Sequence, residues 1–79
     1  MDIKTAREMM QLSQWRLARE ARISKTTVWR AENGFPISRM SARAIARALN
    51  VAPESLIELK QLFVTEERIA PNDTNVQEP

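Results

Sequence analysis

LSQWRLAREARISKTTVWRAENG, residues Leu12–Gly34, is the stretch that decides how the whole chain is read. Ser13 and Ser24 each stand just before a run of helix-compatible residues, Gln14–Ala21 and Lys25–Glu32. A serine in that place accepts a hydrogen bond from a backbone N–H that the first helical turn leaves unpaired. Ala21, Arg22 and Ile23 leave room between the runs only for a sharp corner. In the first run Leu17, Ala18 and Ala21 share one face, and Gln14, Arg16, Arg19 and Glu20 are left toward water. In the second, Val28 and Ala31 face inward, while Lys25, Thr26, Thr27, Trp29 and Arg30 point away. Asn33-Gly34 ends this run, since both residues tolerate the left-handed conformation of a helix stop.

Two short helices joined by so tight a turn form the helix-turn-helix pattern, whose second helix lies in the major groove of DNA. The rest of the chain fits around it. Asp2 is placed to cap a first helix from Ile3 to about Met10, with Ile3, Ala6, Met10 and the adjacent Met9 as its inner face. Pro36 makes Phe35-Pro36-Ile37 a loop. A fourth helix runs from Arg39 or Ser41 to Leu49, with Ala42, Ile45, Ala46 and Leu49 inward. Arg39, Arg43 and Arg47 recur every four residues along another side. Asn50 stops this helix and Val51 packs beneath. Pro53 suits the first turn of a fifth helix, Glu54 to about Phe63, carrying Leu56, Ile57, Leu59, Leu62 and Phe63. That apolar face is wide for its length, so Leu59, Leu62 and Phe63 are the candidate contact with another subunit. FVTEERIA either extends the fifth helix or forms a short strand, and APNDTNVQEP has the composition of a disordered tail. The expected fold is all-α, a compact five-helix bundle over residues 1–64 with an acidic polar tail over 65–79.

With 79 residues and no cysteine or histidine, the chain offers one small core held by packing alone. Disulfides, thiol nucleophiles, His-based triads and zinc sites of Cys or His are excluded, and a reducing cytoplasm is the expected compartment. No stretch has the length of apolar residues that spans a bilayer. The formal charge is +2, but its distribution is uneven: residues 1–64 hold eleven Lys/Arg against six Asp/Glu, and Gln14–Arg47 holds eight against two. Residues 65–79 carry Arg68 against Glu66, Glu67, Asp73 and Glu78. Such a central concentration of arginine is the electrostatic footprint of a nucleic-acid binder.

LSQWRLAREARIS, TTVWRAENG and ARAIARALNVAPESLI together resemble the DNA-binding domain of phage repressor and Cro proteins, the xenobiotic-response-element family of helix-turn-helix regulators. The resemblance covers Arg7 to Ile57, about two thirds of the chain, in order and spacing. One departure is Arg22, where the family usually has glycine at a turn residue of positive φ.

The resemblance implies a role for each matching position. Gln14 would hydrogen-bond a DNA phosphate at the start of the second helix. Lys25, Thr26 and Arg30 hold base-reading positions, Lys25 serving either a base or a phosphate, and arginine can engage guanine O6 and N7 together. Trp29 is a further base-reading candidate: it either points outward at the groove edge, against a thymine methyl or sugar, or folds back over the core beside Phe35. Trp15 either lies along the DNA backbone or covers the fourth helix. Asn33, Ser38, Arg39 and Arg43 correspond to the loop and helix start that supply phosphate contacts. Arg7 and Glu32 fall where the family has a buried ion pair, a structural role that fixes the recognition helix. The implied function is a sequence-specific regulator, a repressor that binds a palindromic operator in double-stranded DNA as a homodimer. The alternative is an interaction module, antitoxin-like or antirepressor-binding, that takes a protein partner through its C-terminal helix or tail. An enzyme is disfavoured, and no cofactor or metal is expected.

Overall fold

The computed structural model describes residues 1–63, and every regular element among them is helical. Helix α1 spans Ile3–Met9, α2 Gln14–Ala21, α3 Lys25–Glu32 and α4 Arg39–Ala48, followed by a 3-10 turn at Pro53–Ser55. Helices α1 to α4 begin with the same device, an extended residue whose side-chain oxygen accepts the N–H three positions on. Asp2 takes it from Thr5, Ser13 from Arg16, Ser24 from Thr27 and Ser38 from Ser41. Each serine cap stabilises its helix by about 1 kcal/mol.

The helices also stop alike. Leu12, Ile23, Phe35 and Val51 each donate a backbone N–H to the carbonyl five residues earlier, at 2.8–3.0 Å. The residue before each is left-handed: Gln11 at φ 59°, Arg22 at 60°, Gly34 at 81° and Asn50 at 60°. This closure places the following apolar side chain against the end of the helix. Leu12, Ile23 and Val51 use it to pack on the core.

The core is assembled from Ile3, Leu17, Val28, Ile45, Leu56 and Leu59, all essentially inaccessible, with Ala6, Ala18, Ala31, Ala42 and Ala46 between them. The alanines let α2 lie close to both α3 and α4. Burying each large side chain is worth roughly 1.5–3 kcal/mol.

Three sequence expectations are corrected. Met9 and Met10 are exposed, at 70% and 46%, and the inner face of α1 is completed by Arg7. A guanidinium takes the place of a thioether there because a carboxylate meets it, as described below. The fifth helix is interrupted: after Pro53–Ser55 the backbone is extended at Leu56, turns, and becomes helical again only at 60–63. The interruption stitches this segment to the start of α1. Ile57 N–H donates to the Met1 carbonyl at 2.9 Å, and the Glu58 carboxylate accepts the Ile3 N–H at 3.0 Å. Finally, Leu59 and Phe63, read as subunit contacts, are buried in the chain's own core, with Leu62 packed against it. The exposed apolar side chain of this segment is Ile57, at 66%. The part of FVTEERIA that follows Phe63 and the tail lie outside the described residues.

Candidate nucleic-acid interface

Helix α3 is pinned along one side and open along the other. Val28 and Ala31 are buried, whereas Lys25, Thr26, Trp29 and Arg30 are exposed. Lys25 and Thr26 occupy the first turn, directly after the Ser24 cap, so that their side chains accompany a helix N-terminus that attracts anions. The Ser24 and Thr27 hydroxyls lie 2.9 Å apart and close the start of the helix.

Arg30 stands one turn further on and is already oriented. Its guanidinium lies 5.6 Å from the centre of the Phe35 ring and approaches the Pro36 carbonyl at 3.5 Å. Phe35 is in turn stacked on Trp29, centroids 5.6 Å apart and planes 19° from parallel. Trp29 remains 47% exposed, so the ring rests on the loop side of α3 with an edge in solvent. Trp15 is 53% exposed, and the Arg19 guanidinium lies 4.7 Å from the centre of its ring.

The C-terminal end of α3 is tied to α1 and α2. Arg7 Nε donates to Glu32 Oε2 at 2.6 Å and another guanidinium nitrogen reaches Oε1 at 3.3 Å; a third N–H is given to the Leu12 carbonyl at 2.8 Å. Only 11% of the Arg7 side chain and 6% of that of Glu32 are accessible. Gln14 is half-buried, where sequence periodicity left it toward water, because its amide nitrogen donates to Glu32 Oε1 at 3.0 Å. The first residue of α2 is thereby fastened to the last of α3. A side-chain amide carries two N–H donors, so this bond does not exhaust Gln14.

The remaining phosphate candidates flank this unit. Asn33 donates its amide to the Trp29 carbonyl at 2.8 Å and so closes α3. Ser38 is the α4 cap, and its hydroxyl also donates to Ser41 Oγ at 3.1 Å. Arg39 and Arg43 are exposed one turn apart on α4, and the Arg43 guanidinium lies 5.4 Å from the Phe63 ring. A second basic surface was not singled out by sequence reading: Arg16, Arg19, Glu20 and Arg22 line an open hollow of about 320 Å³. Its signal in the sequence was the three-residue recurrence of arginine from α2 into the turn. Among the described residues, no group of His, Cys, Asp and Glu is arranged to hold a metal ion. No described helix is long and apolar enough to cross a membrane.

Comparison with known families agrees with this geometry: a helix-turn-helix family model matches residues 3–56. The chain belongs to the Cro/repressor-type helix-turn-helix family. This family consists of DNA-binding transcription regulators and is generally non-enzymatic. No curated protein and no solved structure matches the chain. In helix-turn-helix terms α2 and α3 are the two helices of the motif, Arg22 is its left-handed corner, and α3 is the recognition helix.

Proposed function

We propose that the chain is a sequence-specific transcriptional repressor that binds a palindromic operator as a homodimer, with residues 1–64 as the reading unit and 65–79 as an acidic tail. The observation that carries this reading is the orientation of α3. Val28 and Ala31 are buried and Glu32 is tied to Arg7, which leaves Lys25, Thr26 and Arg30 facing outward together. In this reading Lys25, Thr26 and Arg30 contact base edges, with Trp29 at the groove edge. Gln14, Asn33, Ser38, Arg39 and Arg43 contact phosphates. A single module of this size makes few base contacts, and two-fold symmetry is the usual route to useful affinity. With Leu59 and Phe63 buried, the dimer contact is drawn from Ile57, the accessible part of Leu62, and Met1, which is hydrogen-bonded beside Ile57.

Selection of bound sites from a random DNA pool tests the reading. The expected product is an inverted repeat whose half-sites lie about one helical turn apart. Arg30→Ala should cost about 1–3 kcal/mol of preference at one base pair of each half-site. Arg43→Ala should weaken all sequences alike and lower the salt slope by about 1. Recovery of no consensus, together with a flat salt dependence, would defeat the proposal.

The interaction-module reading is favoured by one observation, the exposed pair of Met1 and Ile57. It predicts unchanged DNA retention in both arginine variants and loss of partner binding in Ile57→Glu.

A further inference from the structure

Helices α1 to α4 end in the same backbone closure, yet the apolar residue it positions behaves differently in one of them. Leu12, Ile23 and Val51 pack on the core. Phe35 is 48% exposed and sits on Trp29. The closure brings this residue beside the helical residue five positions back, and for Phe35 that residue is Arg30, whose carbonyl accepts the Phe35 N–H at 2.8 Å. The ring therefore cannot avoid the arginine. The guanidinium centre lies 5.6 Å from the ring centroid, inside the range of cation–π attraction.

We propose that Phe35 is a positioning residue for Arg30 and thereby sets the preference for one base pair without touching a base itself. The inference rests on the base-reading role given to Arg30. A long arginine on an exposed helix face samples many rotamers, and each must be given up when two N–H groups align on guanine. Phe35 restricts that sampling before DNA arrives. Trp29 is stacked on the ring, and Gly34 at φ 81° supplies the corner by which the chain leaves α3. The arginine is carried by its own helix stop. Trp29 thus acts as a support for the reading group, which accounts for an exposed tryptophan without assigning it a base.

The test uses the full chain and its selected operator, with a second operator in which the guanine identified by Arg30→Ala is replaced. Phe35→Ala should lower the preference for guanine at that position by about two- to five-fold, the size of one exposed cation–π contact. Other positions and the salt slope should be unchanged. Phe35→Tyr, which keeps the ring, should restore the preference. Phe35→Leu, which keeps apolar bulk without a ring, should behave as Phe35→Ala and guards against a variant that fails to fold. Phe35→Ala should add nothing in an Arg30→Ala background, and the Arg30 side-chain N–H resonance should lose its ring-current shift in the free protein. Equal weakening on every sequence, a full effect of Phe35→Ala in the absence of Arg30, or an unaltered guanine preference would each overturn the proposal. A wild-type chain that selects no sequence fails earlier and overturns the base-reading role of Arg30 itself.

Discussion

The two ends of α3 are held by opposite means. At Glu32 the helix is fastened through buried charge: a carboxylate takes two N–H groups of Arg7 and one of Gln14, joining three helices at one residue. At Ser24 the helix is fastened by its own backbone, through a local cap and the Thr27 hydroxyl, and its side chains are exposed. The difference shows how eight residues can both hold the bundle together and present an exposed polar face. Long-range attachment is concentrated at the Glu32 end, so the first turn keeps Lys25 and Thr26 outside the core while their backbone stays fixed by the cap.

Breaking the buried end should have the largest effect. Glu32→Gln leaves Arg7 without its carboxylate in a mostly water-free site, and such one-sided changes cost about 3–5 kcal/mol. Urea denaturation should show this loss. Replacing both partners, Arg7→Met with Glu32→Leu, should recover much of it, because desolvated charge is then absent from both sides. If Glu32→Gln instead unfolds at the wild-type urea midpoint, the contrast between the two ends fails. Ser24→Ala acts on the other end and should cost about 1 kcal/mol. Its effect on operator affinity should exceed its effect on the Arg7 region, which amide hydrogen exchange can resolve.

The smallest effect concerns acid. The Thr5 hydroxyl and backbone N–H hold the Asp2 carboxyl below its ordinary value. A lowered native pKa means that the cap contributes stability above the unfolded carboxylate range, and that this is lost as pH falls through the native value. Thermal unfolding should therefore show a small decline below about pH 4 that Asp2→Asn removes. Since α1 carries Arg7, loosening its first turn probes whether the buried end depends on the helix that supplies it.

Local rules in the sequence anticipated the parts of the structure that local rules build. The serines at 13 and 24 and the recurrence of Leu17, Ala18, Val28 and Ala31 set the bounds and inner faces of α2 and α3. Periodicity misread Met10 against Arg7, because an apolar count has no means of foreseeing a carboxylate arriving from α3. It likewise left Gln14 in water, since the partner that draws it inward is eighteen residues away. The apolar surplus at Leu59 and Phe63 looked available to a partner until the turn at Leu56 folded it back onto the chain's own core. Contacts between distant elements account for each of these differences. The Phe35–Arg30 contact is the exception: it follows from a helix stop visible in Asn33-Gly34, but only once the geometry of that stop is combined with the residue after it.

That helices start and stop by contacts spanning three to five residues has a kinetic consequence. Each boundary of α1 to α4 can form before any distant part of the chain is in place. Little loop-closure entropy must be lost first, and helical domains of low contact order fold on the order of microseconds to milliseconds. The Arg7–Glu32 pair, spanning twenty-five residues, closes a far longer loop than any of these boundaries and carries a correspondingly larger entropy of closure.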